Sequence, residues 1–286
     1  MENTMWDIAI AGQRIRLALN ENLGLAVRAA DGALLWESAP ASPPRLWVAV
    51  GPQFHEGPLA AAGSASVAPF AEGPYRGHRL HLSGYEGTDV VVELAIGIDV
   101  ESDEVLLQVQ QIGGADAVYA VRNFYRFEKP TAAGGHLVLP HGSGYLIPAD
   151  CPDTLPGRGE VGGFIGARWT LPLFGLVRDD TTLCAIAENW WDCEVYAEHV
   201  PGEHSAIGFN WEASLGRFAY ARRLLLRFDA GLDYAGMAKL YRQHARCQGL
   251  VRTLEEKAEQ TPLIQRYIGN VLYRWPAWNP SESPAV

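Results

Sequence analysis

Polar and apolar residues alternate with a period of two along much of this 286-residue chain. In Asp103–Ile112, Val105, Leu107 and Val109 fall on one side, and Gln108 and Gln110 on the other. In Ala117–Glu128, Tyr119, Val121, Tyr125 and Phe127 share a side, opposed by Arg122, Arg126 and Glu128. Arg222–Phe228 repeats the pattern, with Leu224, Leu226 and Phe228 set against Arg223 and Arg227. Successive side chains of a strand point to opposite faces, so this spacing predicts half-buried antiparallel strands. Shorter runs at Trp6–Ile10, Gln13–Leu19, Gly24–Arg28 and Ala33–Glu37 predict a meander at the front. Gly12, Asn20-Glu-Asn22 and Asp31-Gly32 punctuate them, and Asp-Gly suits a tight hairpin turn whose central residues need φ > 0.

A further hairpin is predicted where Thr170–Val177 forms one arm, Arg178-Asp-Asp-Thr181 the turn and Thr182–Ala187 the return. Pro40–Pro44 reads as a short surface connector, and residues 51–74, rich in Gly, Pro, Ala and Ser, as a mobile loop. The period changes at Gly231. Tyr234, Met237, Ala238, Tyr241 and Ala245 recur at helical spacing, with Asp233 placed to cap the start and Gly249 the end. Thr253-Leu-Glu-Glu256 fits a capping box, and Thr261-Pro262 a third helical start. Asn270–Trp275 reads as one more strand. Strands spaced by turns to about residue 229, followed by short helices, predict a mainly β protein, a sandwich of two large antiparallel sheets.

Composition narrows the function. A formal charge of −10 argues against nucleic acid, which needs a basic patch. No run of about 18 apolar residues exists, so no membrane partner is expected. The amino end lacks a basic and apolar leader, which predicts a cytoplasmic protein. Cys151, Cys184, Cys193 and Cys247 show no metal-ligand spacing. They read as buried free thiols, with no metal and no cofactor implied.

The densest candidate chemistry is Glu188-Asn-Trp-Trp-Asp-Cys-Glu194, with two indoles and three carboxylates in one short run. Glycoside hydrolysis needs two carboxyls roughly 5–10 Å apart, and indoles stack on sugar rings. Glu188, Trp190, Trp191 and Asp192 are therefore candidate carbohydrate contacts. If the segment continues as a strand, the two Trp face opposite ways, one goes to the core, and the acids stay in solvent. His141-Gly-Ser-Gly-Tyr145 lacks the Lys and helix of a phosphate loop and the context of a nucleophile elbow, so it reads as a tight turn. His141 and Tyr145 join the carbohydrate candidates as residues of that turn. His78 and His81 sit three apart on a strand and so face opposite sides, which rules out shared chelation.

Three stretches carry a resemblance. They are Leu137-Val-Leu-Pro-His-Gly-Ser-Gly-Tyr-Leu-Ile-Pro148, the hairpin Leu171–Val177 with Ala185–Asp192, and Tyr241-Arg-Gln-His through Gly249–Lys257 and Pro262 to Ile268-Gly269-Asn270. In this order they resemble the front part of glycoside hydrolases related to the α-N-acetylgalactosaminidases. There a galactose-mutarotase-like β-supersandwich precedes a (β/α)₈ barrel. The resemblance implies a supersandwich over residues 1–230, a helical connector over 231–269, and over 270–286 the first strand of a barrel that is otherwise absent from this chain. It implies a non-catalytic region that packs on a glycosidase barrel and lends loops to carbohydrate binding, with the catalytic residues elsewhere. Two alternatives stay open: a stand-alone aldose 1-epimerase-like enzyme, whose Asn-His-x-Tyr-Phe-Asn type segment is not found, and a carbohydrate-binding module.

Overall fold

The computed structural model describes residues 8–155, 160–214, 216–267 and 269. The chain divides into two compact units, one up to Ala238 and one from Lys239 onward. The first unit is built from three antiparallel sheets. A four-stranded meander comes first: β1 (Ile8–Ala11), β2 (Ile15–Leu19), β3 (Leu25–Ala29) and β4 (Leu34–Glu37). The chain then runs through β5 (Arg45–Val50), β6 (Gln53–Pro58), β7 (Ser64–Glu72), β8 (Tyr75–Ser83), β9 (Val91–Asp99) and β10 (Val105–Gly113). It continues as β11 (Ala117–Arg122), β12 (Phe127–Pro130), β13 (His136–Leu139), β14 (Tyr145–Pro148) and β15 (Glu160–Phe164). The last five strands are β16 (Leu173–Val177), β17 (Thr182–Ala187), β18 (Cys193–Val200), β19 (His204–Glu212) and β20 (Arg222–Asp229). Nine of these form one sheet in the order β14-β13-β16-β17-β20-β10-β9-β8-β7. A seven-stranded sheet runs β15-β18-β19-β11-β5-β6, with β12 paired to β19.

The two large sheets face each other over one apolar core. From the nine-stranded sheet it takes Leu80, Leu94, Val109, Phe174, Leu183 and Leu226, and from the other Val48, Val121, Val195, Phe209 and Trp211. A mainly β antiparallel sandwich followed by short helices is thus what the alternation predicts. The hairpin around Arg178–Thr181 also forms as read, with Val177 opposite Thr182 and Leu173 opposite Ile186. The meander at the front is a third sheet rather than part of either large one. It is fastened by Asp103, whose carboxylate accepts from the Gln13 and Arg14 amides at 2.7 and 3.1 Å.

Several expectations are corrected. Residues 51–74 are not a loop: they hold all of β6 and β7, an edge strand of each of the two large sheets. Edge strands pair on one side only and carry small polar residues, so they lack the apolar signature of a buried strand. Strand β10 is not half-buried, since Leu106 and Gln108 on its outer face are covered as well. Tyr119 does not share a face with Val121. The register of β11 slips between Val118 and Ala120, and Tyr119 stays exposed. Asn123 and Tyr125 have positive φ and break the strand before β12. Cys184 and Cys193 are buried free thiols as expected, but Cys151 is only half-buried and Cys247 is exposed.

The nine-stranded sheet curls. Glu72 on β7 lies 3.0 Å from Arg223 on β20, although three strands separate them. At about 4.8 Å per strand a flat sheet would hold those strands about 19 Å apart, beyond the reach of the two side chains. Glycines stand at close approaches within it. Gly77 and Gly97 are register partners on β8 and β9, and a Cβ on Gly77 would lie 2.0 Å from the Ile96 carbonyl oxygen. The Phe70 ring lies over Gly97, in space that any side chain there would fill.

After β20, α1 (Tyr234–Cys247) begins in the first unit and ends in the second. Asp233 caps it as read, its carboxylate accepting from the Gly236 amide at 2.7 Å. Gly249, at φ +69°, stops it with paired bonds from the Gly249 amide to the Arg246 carbonyl and from the Leu250 amide to the Ala245 carbonyl. Thr253 and Glu256 form the expected reciprocal box at the head of α2 (Leu254–Gln260). The third start gives a 3₁₀ helix, Pro262–Tyr267, rather than an α-helix. The strand expected over Asn270–Trp275 lies outside the described residues. No helix among them is long and apolar enough to cross a membrane.

Candidate functional site

Strand β17 ends at Ala187, and the Glu188 amide bonds the Arg223 carbonyl at 3.0 Å. The chain then turns, closed by the Cys193 amide on the Trp190 carbonyl at 3.2 Å. Trp190 and Trp191 therefore do not alternate as strand residues would. Their rings stack at 5.8 Å with only 5° between planes. Trp190 is half-buried and rests on Gly166, while Trp191 is 64% exposed and meets Tyr220 in a T-shaped contact at 6.3 Å.

The acids are not in solvent either. Asp192 is buried and pairs with the equally buried Arg222 at 2.6 Å. It also accepts the Tyr220 hydroxyl at 2.5 Å. The Arg222 guanidinium is held between the Phe218 and Tyr220 rings, 3.9 and 3.6 Å from their centroids. Burial and then the Asp192 carboxylate push the Tyr220 phenol well above its ordinary range. Glu188 pairs with Arg223 at 2.8 Å. Turn, ion pair and phenol together fix one exposed indole face.

His141 and Tyr145 stand apart from this group by sequence but join it through contacts. The β13–β14 hairpin needs Gly142 and Gly144 at positive φ, and it sets the His141 ring 4.9 Å from Tyr145. The His141 ring makes a T-shaped contact with the buried Trp169 at 6.0 Å. The Trp169 carbonyl accepts from the amide of Gly166, the residue under Trp190. The candidates thus fall in two aromatic groups, Tyr145–His141–Trp169 and Trp190–Trp191–Tyr220, linked by that one backbone bond, with Asp192 under the second group and Glu188 held apart on Arg223.

Beside this run, on the concave face of the nine-stranded sheet, lies a cavity of about 430 Å³. Its floor is set by register. His81, Glu93 and Gln110 are opposite one another on β8, β9 and β10, and Arg79, Ala95, Gln108 and Arg223 form the next row. The small Ala95 leaves the hollow between longer polar neighbours. Glu93 accepts from His81 at 2.9 Å, from Gln110 at 2.9 Å and from Arg79 at 3.4 Å. Asn189 and Tyr220 close the side next to the tryptophans. These residues do not stand out in the sequence because they come from four strands and the loops beside them, with Tyr220 and Arg223 more than a hundred positions from Arg79, Glu93 and Gln110. The available signal was the outward-facing polar row of Gln108, Gln110 and Arg223, which the alternation exposed but gave no reason to combine with β8. Among the described residues no cluster of His, Cys, Asp or Glu is arranged to hold a metal ion.

The fold and this polar concave face define an antiparallel β-sandwich with a polar hollow on its larger sheet. No family model matches the sequence, and no curated protein matches it. Among solved structures the chain is similar to the α-N-acetylgalactosaminidase NagBb from Bifidobacterium bifidum. The quadruple mutant of that protein aligns with a TM-score of 0.75 at 24% identity, over 91% of this chain and 42% of that one. Its ligand-free form aligns with a TM-score of 0.72 at 23% identity. An α-mannosidase from Enterococcus faecalis V583 aligns at 0.51 and 9% identity, over 85% of this chain and 31% of that one. The chain spans less than half the length of these proteins, and what it shares with them is the fold.

Proposed function

We propose that this chain is the carbohydrate-facing, non-catalytic sandwich of a glycoside hydrolase-like protein, one that packs against a catalytic barrel and contacts sugar through Glu188–Asp192, His141 and Tyr145. The observation that carries this reading is the exposed Trp191 face, braced by Trp190, Tyr220 and the buried Asp192–Arg222 pair. A large aromatic left in solvent and held rigid is what a sugar ring stacks on, and rigidity lowers the ordering cost of binding. The extended alignment with NagBb, named as an α-N-acetylgalactosaminidase, supports the same assignment.

The pairing of the acids around the platform supports a non-catalytic role for this region. A glycosidase needs one carboxyl free to donate a proton and a second positioned across the bond. Here Asp192 is held by Arg222, Glu188 and Glu72 by Arg223, and Glu93 by Arg79 and His81. An epimerase needs an acid and a base on either side of a sugar ring. His81 and Glu93 bond each other directly, which leaves no ring-sized gap between them.

A glycan array tests the reading. The chain should bind glycans, Trp191→Ala should lose them, and Phe54→Ala, another exposed aromatic, should not. The chain should release no nitrophenol from nitrophenyl α-glycosides. Hydrolysis by the chain, or array binding indifferent to Trp191, would overturn the proposal.

A further inference from the structure

We infer that the rim of the sandwich between β5–β6 and the turn from β8 to β9 is a binding site for a small amphiphilic amine, one ammonium group on an apolar or aromatic body. The inference is independent of the carbohydrate reading. A cavity of about 530 Å³ lies at this rim, within the roughly 300–1,000 Å³ of small-molecule sites. Sheet order creates it. Strand β6 is the last of its sheet, so beyond it the inner face of β5 is roofed only by the turn from β8 to β9. Two bonds hold that turn across to the chain after β6. The Gly63 amide donates to the Gly84 carbonyl at 3.2 Å, and the Tyr85 hydroxyl to the Leu59 carbonyl at 2.9 Å. The hollow is therefore formed in advance of any ligand.

Register sets the walls. Leu46 stands opposite Gly57 and Val48 opposite His55, and alternation turns this row inward while Arg45, Trp47 and Glu56 turn out. Leu46 and Val48 belong to the core and close the inner end, with the Tyr85 ring and Ala61 among the sides. Gly57 leaves the room: a Cβ built there meets nothing within 4 Å. Such a wall favours an apolar body over a hydrated one, because each apolar surface removed from water stabilises the complex.

Charge sets the class. No Lys or Arg lines the cavity, whereas Glu56 and Glu86 do. Glu56 is paired with Arg45 on the outer face. Glu86, exposed at the mouth, has no partner for its carboxylate among the described residues. Two more carboxylates stand behind Thr88. Its hydroxyl donates to Asp116 at 2.8 Å, and the Asp116 amide donates to Asp89 at 2.9 Å. Neither acid is in an ion pair among the described residues. The field at the mouth is thus negative, which attracts a cation and repels an anion. The half-buried His55 imidazole lies against Gly87 and, when neutral, offers a lone pair to an ammonium.

The test is titration calorimetry with ligand-observed NMR on the full chain at low salt, using phenethylamine, phenylacetate and ethanolamine. Phenethylamine should bind with a Kd at or below about 1 mM, and the other two at least about tenfold more weakly, since one lacks the cation and the other the apolar body. Glu86→Gln should weaken phenethylamine about threefold to fivefold, the worth of an exposed ion pair, and added salt should do the same. Gly57→Leu and Ala61→Leu should each block the hollow and cost tenfold or more, while Trp191→Ala should change nothing. Thermal melts identify any variant that fails to fold. Glu86 and Ala61 are exposed, so their substitutions carry the test if Gly57→Leu does not fold. Phenylacetate or ethanolamine bound as tightly as phenethylamine overturns the assigned class, and so does amine binding that both Glu86→Gln and salt leave unchanged. Amine binding unaltered in every blocking variant that folds, or lost with Trp191→Ala, overturns the location. No binding of phenethylamine at millimolar concentration removes the site.

Discussion

The pair Asp192–Arg222 is the joint on which the platform depends, and Asp192→Ala exposes its worth. Both side chains are essentially inaccessible to water, at 0% and 1%. Removing the carboxylate leaves a buried guanidinium with no counter-charge, its Nε already without a partner. It also strips the Tyr220 hydroxyl of its acceptor at 2.5 Å. Breaking a buried pair by deleting one member costs about 3–5 kcal/mol, most of it the desolvated charge left behind. Urea unfolding followed by tryptophan fluorescence should show that loss as a lower midpoint at unchanged slope. The double variant Asp192→Leu with Arg222→Met should recover most of it, because a buried pair replaced by apolar groups of similar size is close to neutral. Since Trp191 leans on Tyr220, Asp192→Ala should also weaken glycan binding. A cost below about 1 kcal/mol for Asp192→Ala would mean that water reaches Arg222, and the account of a dry, rigid platform would fail.

Three more expectations concern the frame around the site. Gly77→Ala places a Cβ 2.0 Å from the Ile96 carbonyl oxygen, a backbone atom that cannot turn aside, so thermal unfolding should show a loss of about 2 kcal/mol or more. Gly175→Ala meets the flexible end of Met237 at 2.5 Å and should cost clearly less, because Met can move. Thiol labelling of the native chain near pH 8 should modify Cys247 quickly and leave Cys184 and Cys193 untouched until urea is added; burial pushes the Cys184 thiol up to about 12, and Cys247→Ser should remove the fast phase. Burial alone would raise the Glu198 carboxyl, but hydrogen bonds from Arg126 and from His204 at 3.2 Å outweigh it and hold the acid below its ordinary range. The folded state therefore binds that proton less readily than the unfolded chain. The stability this contributes is present above the ordinary Glu value of about 4.3 and is lost as pH falls through the depressed one, a slope that Glu198→Gln should flatten in acid unfolding curves.

Much of the frame could be read directly from the chain. Val105, Leu107 and Val109 announce β10, and Leu224, Leu226 and Phe228 announce β20, because a strand that packs one face on a core must repeat its apolar residues every second position. Asp233, Gly249 and the Thr253–Glu256 box announce helix ends, because orphan backbone groups need local partners and local partners are visible in sequence. The Trp190–Trp191 pair shows where such reading stops. As a strand continuation it would split between two faces, yet a single turn bond from Cys193 to Trp190 stacks the rings instead. Strands β6 and β7 were hidden for a related reason, since an edge strand is defined by its one neighbour and not by its own composition.

From composition and period alone follow the alternating strands, their antiparallel packing into a sandwich, the capped helices behind them, and the aromatic–acid run that singles out Glu188–Asp192. Those properties are local: each depends on residues within a few positions of one another. Tertiary structure decided that Asp192 would be buried against Arg222, thirty residues away, and that Arg79, Glu93, Gln110 and Arg223 would meet on one curved face. Cross-strand neighbours are chosen by sheet order and register, and curvature by where glycines let backbones approach. Neither leaves a mark at any single position, which is why the hollow became visible only once the strands were laid side by side.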